Sequence, residues 1–198
     1  MKIAVVGGTG DFGLALARRL VEAGDEVVIG SRDAERAQEK ANEVGATGGA
    51  ANEDAVRGVD LVVLATKAEA ALPTATALAD AIGTTPVLSV ASDLRSTDAL
   101  SLAQRAQDLV RGPVVAGLHS LAAGKLAHGR PDEDAFVCGD DEEAKALALE
   151  LAAKVVAGRA LDAGPLANAR ALEGMTAVIV NLNKRYRAHA GLRVTGLH

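Results

Sequence analysis

Three glycines near the start of the chain have the spacing of a loop that binds a pyrophosphate. The stretch Gly8-Thr-Gly-Asp-Phe-Gly13 satisfies G-x-G-x-x-G between a short apolar run, residues 3–6, and a segment with helical apolar spacing. In this context Gly8 permits a tight turn, Gly10 lets the backbone approach the phosphates, and Gly13 lets helix and strand lie close together. The unpaired N–H groups at the helix start would then bind the pyrophosphate. A plain glycine turn is the alternative.

The end of the second predicted strand distinguishes the two nicotinamide cofactors. An NAD enzyme usually places a carboxylate there for the ribose 2′-hydroxyl, whereas this chain has Gly30-Ser-Arg32. A hydroxyl and a guanidinium can hydrogen-bond a 2′-phosphate and neutralise its charge. Arg36 lies one helical turn further on and completes the predicted clamp, and Thr9 reaches it from the glycine loop. The sequence therefore predicts NADP(H), although two alternatives stay open: a solvated surface pair of arginines, or an ion pair between Asp33 and Arg36.

The segments around these motifs alternate between strand and helix. The strand candidates are apolar runs at residues 3–6, 27–29, 60–65, 86–90 and 114–119. Helical spacing or helix-favouring composition occurs at residues 12–21, 33–44 and 69–82. This alternation predicts the α/β class, with a Rossmann-like doubly wound parallel sheet whose strand ends share one ligand-facing edge.

The pattern changes after residue 123. The chain then offers a polar loop at 124–134, a short strand at 136–138, a helix with an acidic first turn at 141–156 and a long final helix at 168–186. We therefore predict an NADP-binding Rossmann domain over residues 1–123 and a smaller C-terminal α/β cap over residues 124–198. The cap would supply a wall of the acceptor cleft and the dimer contacts.

Bulk composition excludes several classes of function. The formal net charge is −5 and charges of both signs are interspersed, which argues against nucleic acid as a partner. No apolar run reaches about 18 residues, so we expect no membrane span, and the first residues lack a signal-peptide pattern. Cys138 is the only cysteine, which excludes an internal disulfide and a multi-cysteine metal site and suits a cytoplasmic location.

With the late motifs added, the sequence resembles the family of NADPH-dependent reductases of coenzyme F420, a deazaflavin hydride carrier. The resemblance runs nearly end to end. It rests on Val6-Gly-Gly-Thr-Gly10, Gly30-Ser-Arg32, Leu118-His119, Val137-Cys-Gly-Asp-Asp141 and Leu161-Asp-Ala-Gly-Pro-Leu166, the last followed by Asn168 and Arg170. The late motifs are far more specific than the glycine loop.

This resemblance implies a set of ligand contacts and a homodimeric enzyme. The positions that match NADP contacts in the family are Thr9, Gly10, Asp11, Phe12, Ser31, Arg32 and Arg36. The nicotinamide and deazaflavin rings are expected to stack in a cleft at the strand ends. Its near side would be lined by Ala65, Thr66, Ser89 and Val90, and its far side by Leu118 through Ala122. The implied activity is hydride transfer between NADP(H) and coenzyme F420.

Three departures from the family pattern fall on the acceptor side of this cleft. The chain has Lys67-Ala68 in place of a Pro-Trp pair, Val90-Ala-Ser-Asp93 in place of a proline-rich turn, and Ser120 after His119 in place of a proline. The acceptor therefore stays open. A flavin, quinone or metal-chelate reductase and a non-catalytic NADP(H)-binding redox sensor are the alternatives.

Hydride transfer between two bound rings needs little acid–base chemistry from the protein. His119 is the one candidate catalytic residue, as a polar contact in the cleft, and a structural histidine is the alternative. Cys138 lies within an apolar strand without a partner base, which favours packing. Asp140 and Asp141 favour capping of the following helix over metal binding.

Overall fold

A single sheet forms the centre of the computed structural model, which describes residues 1–95 and 97–197. Its strands are β1 Lys2–Val6, β2 Glu26–Ser31, β3 Gly48–Ala51, β4 Leu61–Leu64, β5 Val87–Ser89, β6 Val114–Gly117, β7 Ala135–Gly139 and β8 Ala160–Asp162. They lie in the order β3-β2-β1-β4-β5-β6-β7-β8, and every neighbouring pair is parallel except β6 with β7. The order of the first six strands is that of a doubly wound nucleotide-binding sheet. The predicted fold class is confirmed.

Helices connect the strands and cover both faces of the sheet. They are α1 Asp11–Glu22, α2 Ala34–Val44, α3 Asn52–Ala55, α4 Ala68–Ile82, α5 Leu102–Gln107, α6 Ala123–His128, α7 Glu142–Val155 and α8 Ala169–Tyr186, and a 3₁₀ turn, Leu166–Asn168, precedes α8. The helices expected at 12–21, 33–44, 69–82, 141–156 and 168–186 are all present. Among the described residues, no helix combines the length and the apolar character that crossing a bilayer requires.

Strand β1 shows why the sheet needs helices on both sides. Ile3 and Val5 belong to one core cluster, Ala4 and Val6 to another, because successive side chains of a strand point to opposite faces. The first cluster includes buried residues of α1, α2, α6 and α7, and the second includes residues of α4, α5 and α8. Both faces are therefore dry, as in other parallel sheets.

The sheet continues beyond the predicted boundary at residue 123. Strands β7 and β8 extend it past β6, and one core cluster includes both Leu16 of α1 and Leu151 of α7. The division into residues 1–123 and 124–198 therefore stays a prediction, and the two parts share a sheet and a core.

One local prediction is wrong: residues 124–134 are not all loop. The helix α6, Ala123–His128, takes up the first part of this range, and the backbone N–H of Leu126 donates to the carbonyl of Ala122. Leu126 is fully buried in the core cluster that contains α1. Leu126 is the only large apolar side chain in this six-residue helix, which is too weak a signal for helical periodicity.

Strand β3 was not predicted at all. Its four residues are Gly-Gly-Ala-Ala, without any β-branched side chain. A Cβ at Gly49 would lie 2.2 Å from the carbonyl oxygen of Ala37, so α2 crosses this strand too closely for a larger residue. Because α2 packs so closely on β3, the strand is built from small residues and lacks the β-branched side chains by which a strand is predicted.

Candidate active site

The glycine loop after β1 is shaped by close backbone packing. Gly7 has a φ of +80° and is the left-handed residue of the turn, a role that the sequence analysis had given to Gly8. A Cβ at Gly8 would lie 2.9 Å from the side chain of Ile29, and one at Gly13 would lie 2.7 Å from the carbonyl oxygen of Gly7. A Cβ at Gly10 would meet only that same carbonyl oxygen, at 3.4 Å. Gly8 and Gly13 therefore serve internal packing, whereas Gly10 keeps the outer face of the loop open.

Helix α1 begins at this loop with its first N–H groups uncapped by a side chain. Gly10 is the N-cap residue and makes no side-chain cap, and the first helical bond joins the N–H of Leu14 to the carbonyl of Gly10 at 2.8 Å. The N–H groups of the preceding residues, Asp11, Phe12 and Gly13, thus have no carbonyl to bind within the helix. Together with the helix dipole they form an anion-binding terminus beside the exposed Gly10.

Ser31 ends β2, and two arginines follow it. The side chains of Arg32 and Arg36 are exposed, and within residues 1–95 and 97–197 neither guanidinium has an ion-pair partner. Asp33 does not pair with the guanidinium of Arg36. Its carboxylate instead accepts the backbone N–H of Arg36 at 3.1 Å and caps α2. Both positive charges therefore remain available at the end of β2.

A cleft of about 240 Å³ opens where β4, β5 and β6 end. Its lining consists of Phe12, Ala65, Thr66, Lys67, Ala68, Val90, Ala91, Ser92, Leu118, His119, Leu121 and Thr176. Seven predicted site residues are in that set, namely Phe12, Ala65, Thr66, Val90, Leu118, His119 and Leu121. Three predicted lining residues are not: Ser89 is buried within β5, Ser120 is buried with its hydroxyl bonded to the carbonyl of Asp134, and Ala122 lies just beyond the lining. The cleft meets the glycine loop at Phe12, so the two predicted subsites are adjacent.

Sequence reasoning missed the α8 side of this cleft. Thr176 lies in the middle of α8, and no sequence motif marks it. Ser92 and Thr176 are 84 residues apart, yet their hydroxyl oxygens lie 2.9 Å from each other. Such a contact depends on the docking of α8 against the β5–α5 connection, which no local pattern encodes.

Strand β6 ends at a backbone position that is strained for a side chain. Leu118 has a φ of +64°, in the left-handed region that non-glycine residues rarely occupy. It is fully buried, and its carbonyl accepts the N–H of Leu121, which closes a tight turn. This turn brings His119 against the cleft. Strained residues of this kind tend to occur where a site fixes geometry.

His119 is buried, and its ring has one hydrogen-bond partner among the described residues. Its Nε2 lies 3.2 Å from the carbonyl oxygen of Ala91, and since a carbonyl can only accept, Nε2 carries the proton. The other nitrogen, Nδ1, has no partner among the described residues. Burial lowers the pKa of the imidazole to about 4, although the bond to Ala91 opposes this shift. At neutral pH His119 is therefore an uncharged ring with a bare acceptor nitrogen.

Hydroxyl groups complete the polar lining. The hydroxyl of Thr176 donates to the carbonyl of His119 at 2.8 Å, so the contact between Ser92 and Thr176 takes its proton from Ser92. The Oγ1 atom of Thr66 is buried and has no hydrogen-bond partner in the described part of the chain. Of the described residues in the lining, Lys67 alone has a charged side chain. The cleft thus provides hydrogen-bonding groups and apolar surface, and it contains no carboxylate.

Two further predictions concern residues outside the cleft. Cys138 is buried in β7, and burial raises the pKa of its thiol to about 11, so the interpretation as a packing residue holds. Asp141 caps α7 by accepting the N–H of Ala144 at 2.9 Å, as predicted. Asp140 does not cap that helix, since its carboxylate accepts the N–H of Leu166 instead.

The strand order and the loop that follows β1 define the class of this molecule. The Rossmann arrangement places a dinucleotide across the carboxyl ends of its strands, and the uncapped start of α1 and the unpaired arginines both lie at that edge. It is a dinucleotide-binding α/β protein.

The comparisons with known proteins define the family. The F420-dependent NADP reductase of Methanothermobacter thermautotrophicus is 39% identical over the whole of this chain and 96% of its own length. The enzyme of the same name from Methanocaldococcus jannaschii is 33% identical over the whole of this chain and 99% of its own length. The family model described as NADP oxidoreductase, coenzyme F420-dependent, matches residues 2–93. This chain belongs to that family, and the resemblance drawn from its motifs is confirmed.

A solved structure agrees with this assignment. The crystal structure of a putative F420-dependent NADP reductase from Arthrobacter sp. FB24 superposes with a TM-score of 0.87 and 27% sequence identity, and it covers 99% of this chain and all of its own. An imine reductase from Streptomyces aurantiacus, 22% identical with a TM-score of 0.68, shares the fold over 92% of this chain. The α/β architecture is therefore common to reductases of several kinds.

Proposed function

We propose that this protein is an oxidoreductase that transfers hydride between NADP(H) and coenzyme F420, bound face to face in the cleft at the strand ends. One observation carries the proposal. The relatives named F420-dependent NADP reductase match the chain over its full length, whereas the family model covers only residues 2–93. The later residues, which include the acceptor wall from Leu118 to Thr176, are therefore shared with those enzymes as well.

The nucleotide side fits NADP(H) in shape and charge. The open face at Gly10 and the uncapped start of α1 suit a pyrophosphate. The 2′-phosphate fits the end of β2, at Ser31, Arg32 and Arg36. The two guanidiniums there are unpaired, and a phosphate would neutralise their positive charge. Thr9 lies on the glycine loop next to Gly10 and is half-buried.

The protein's own part in the reaction is to position two rings and to keep them dry. When bound, the reduced nicotinamide supplies a hydride that the deazaflavin accepts. Phe12, Val90 and Leu118 give the cleft apolar walls that limit the access of water. Holding two reactants in contact can by itself supply about 7–11 kcal/mol of the barrier reduction. No general acid is required in this scheme, and none of the described lining residues is a carboxylate.

His119 is proposed as an orienting contact for a ring edge. Its neutral imidazole, fixed by the bond from Nε2 to Ala91, offers Nδ1 as an acceptor for an amide or imide N–H. The low pKa argues against a role as proton donor at neutral pH. Thr66, with a buried and unpartnered Oγ1, is proposed as a second orienting group on the near side.

A homodimer and a cytoplasmic location are also proposed. Helix α8 exposes Val178 and Tyr186, large apolar side chains that a partner subunit would cover. The lone Cys138 suits a reducing compartment. Light scattering at micromolar concentration tests the first point, and a strictly monomeric mass would contradict it.

The decisive assay measures NADPH oxidation with each acceptor separately. We expect turnover with coenzyme F420 and far slower turnover with flavin, quinone or ferric chelate, and a preference for NADPH over NADH. Turnover with flavin alone would reject the deazaflavin assignment. Tight NADPH binding without turnover on any acceptor would instead indicate a redox sensor.

A further inference from the structure

Helix α8 carries a buried carboxylate that the proposed reaction does not use. Glu173 is 1% exposed, and its Oε1 accepts the backbone N–H of Leu102 at 2.7 Å. The backbone N–H of Asp93 donates to the same carboxylate, and the Arg170 guanidinium lies 3.7 Å from Oε2. Burial raises the pKa of this carboxyl, whereas the two N–H bonds and the arginine oppose that shift.

The two N–H groups belong to the ends of one connection. Residues 90–101 join β5 to α5, with Asp93 near the start of this segment and Leu102 directly after it. The start of the segment, from Val90 to Ser92, lines the cleft. Leu94 and Leu100 in the middle of the segment are exposed, whereas Ala91 near its start is buried and packs with Leu102 and with Ala71 of α4. Glu173 thus joins both ends of this segment to α8.

A second contact from the same helix supports this arrangement. Thr176 lies one turn after Glu173 and bonds both to Ser92 and to the carbonyl of His119. The carbonyl of Ala91 in turn fixes the imidazole of His119. One face of α8 therefore contacts the segment at Ser92 and the backbone of His119, whose ring bonds the adjacent Ala91.

We propose that Glu173 is a positioning residue for the acceptor side of the cleft, which it sets by holding both ends of the segment 90–101 against α8. Burying a carboxylate is costly relative to an apolar side chain of similar size, so a purely stabilising role would be better served by leucine. A carboxylate, however, offers acceptors to two backbone N–H groups at once. Gln keeps only one carbonyl oxygen, and Ala keeps none.

The first test reads the segment directly and needs no activity. Amide hydrogen exchange is measured on the full chain for wild type, Glu173→Gln, Glu173→Ala and the control Asp25→Asn. Asp25 is also a buried carboxylate, but it bonds Lys154 at 2.7 Å and precedes β2, at the end of the sheet opposite the cleft. We expect the amides of Asp93 and Leu102 to exchange about tenfold faster in Glu173→Ala, with an intermediate value for Glu173→Gln. Unchanged protection of both amides would overturn the proposal.

The second test is kinetic and rests on the proposed function. Glu173→Ala should lower kcat/KM for the deazaflavin about 10- to 100-fold, because small displacements in a hydride-transfer site are costly. The dissociation constant for NADPH should change by less than about twofold, because the substitution leaves the phosphate loop, which binds the pyrophosphate, unchanged. Glu173→Gln should recover part of the loss, and Asp25→Asn should lower Tm without altering kinetics.

Three outcomes separate the possibilities. Equal losses for nucleotide and acceptor, or losses that follow Tm across all the variants, would overturn the positioning role. Absence of deazaflavin turnover in the wild type would overturn the proposed function, while the exchange experiment would still decide the role of Glu173 in holding the segment.

Discussion

At the scale of single residues, the competition for Asp33 decides what Arg36 can do. The sequence allowed an ion pair between the two side chains, but a residue directly before a helix is better placed to cap it. The carboxylate of Asp33 accepts the backbone N–H of Arg36, and the guanidinium is left unpaired. A local rule of helix formation thus determines how much charge is available at the end of β2.

Replacement of Arg32 by alanine tests whether that charge binds the 2′-phosphate. Loss of a charge-assisted hydrogen bond should weaken NADPH binding by roughly 1–3 kcal/mol and barely affect NADH. Fluorescence titration of both nucleotides gives the two constants. Arg57→Ala is a matched control, since Arg57 is exposed and already pairs with Glu53 at 2.7 Å. Equal losses for NADPH and NADH in Arg32→Ala would contradict the assignment.

Burial of His119 predicts a pH dependence of stability. The folded pKa is about 4, below the ordinary value of 6.5, so the unfolded chain binds a proton in this range while the folded chain does not. Stability should therefore fall as pH drops from 6.5 towards 4, by about 2 kcal/mol between pH 7 and pH 5 from this group alone.

Urea unfolding of wild type and His119→Gln at pH 7 and pH 5 checks this expectation. Glutamine has an amide N–H for the Ala91 carbonyl and no titrating group. The fall in unfolding free energy between the two pH values should therefore be smaller in the variant. An identical fall in both proteins would show that His119 titrates normally.

At the scale of elements, the glycines of the loop meet two different requirements: Gly13 allows close backbone packing, and Gly10 leaves the outer face open to a ligand. In Gly13→Ala the new Cβ would lie within 2.8 Å of backbone atoms of Gly7 and Gly8, so the loop must shift. We expect a loss of about 1–3 kcal/mol in unfolding free energy. In Gly10→Ala the nearest such atom lies at 3.4 Å, so folding should be nearly unaffected while NADPH binding weakens, because the methyl occupies the open face of the loop.

Thermal unfolding and NADPH titration on the same samples distinguish the two variants. Gly124→Ala serves as a control, because it lies in α6 with no atom near the added methyl, and removing a helical glycine should raise stability by up to about 1 kcal/mol. If Gly10→Ala bound NADPH as tightly as wild type, the pyrophosphate would not pass over this glycine.

Elements with strong periodicity were predictable, and those fixed by neighbours were not. Strands such as Leu61–Leu64 are continuous apolar runs, and the long helices repeat their apolar residues every three or four positions. Strand β3, with its Gly-Gly-Ala-Ala sequence, exists because β2 offers a hydrogen-bonding edge and α2 leaves room only for small residues. The same distinction applies to the site: Arg32 follows a motif, whereas Thr176 reaches the cleft only through the docking of α8.

At the scale of the whole molecule, the continuous sheet joins the two predicted parts. Strand β7 pairs antiparallel with β6, and α7 shares a core cluster with α1. The segment after α8 is bonded to the residue before β7. The fully buried carboxylate of Asp134 accepts the backbone N–H of Val194 at 2.8 Å and pairs with Arg159 at 2.6 Å. Folding of the two parts should therefore be cooperative.

A fragment of residues 1–123 is the sharpest test of that cooperativity. It would expose the β6 edge, which β7 covers in the full chain, and the side of α1 that contacts α6 and α7. Unpaired edges and bared apolar surface favour loose or aggregated states. We expect the fragment to lack a cooperative thermal transition and to bind NADPH poorly, although it contains the whole phosphate loop and both arginines. Circular dichroism melting of fragment and full chain makes the comparison, and a sharp transition with retained NADPH affinity would establish residues 1–123 as an autonomous domain.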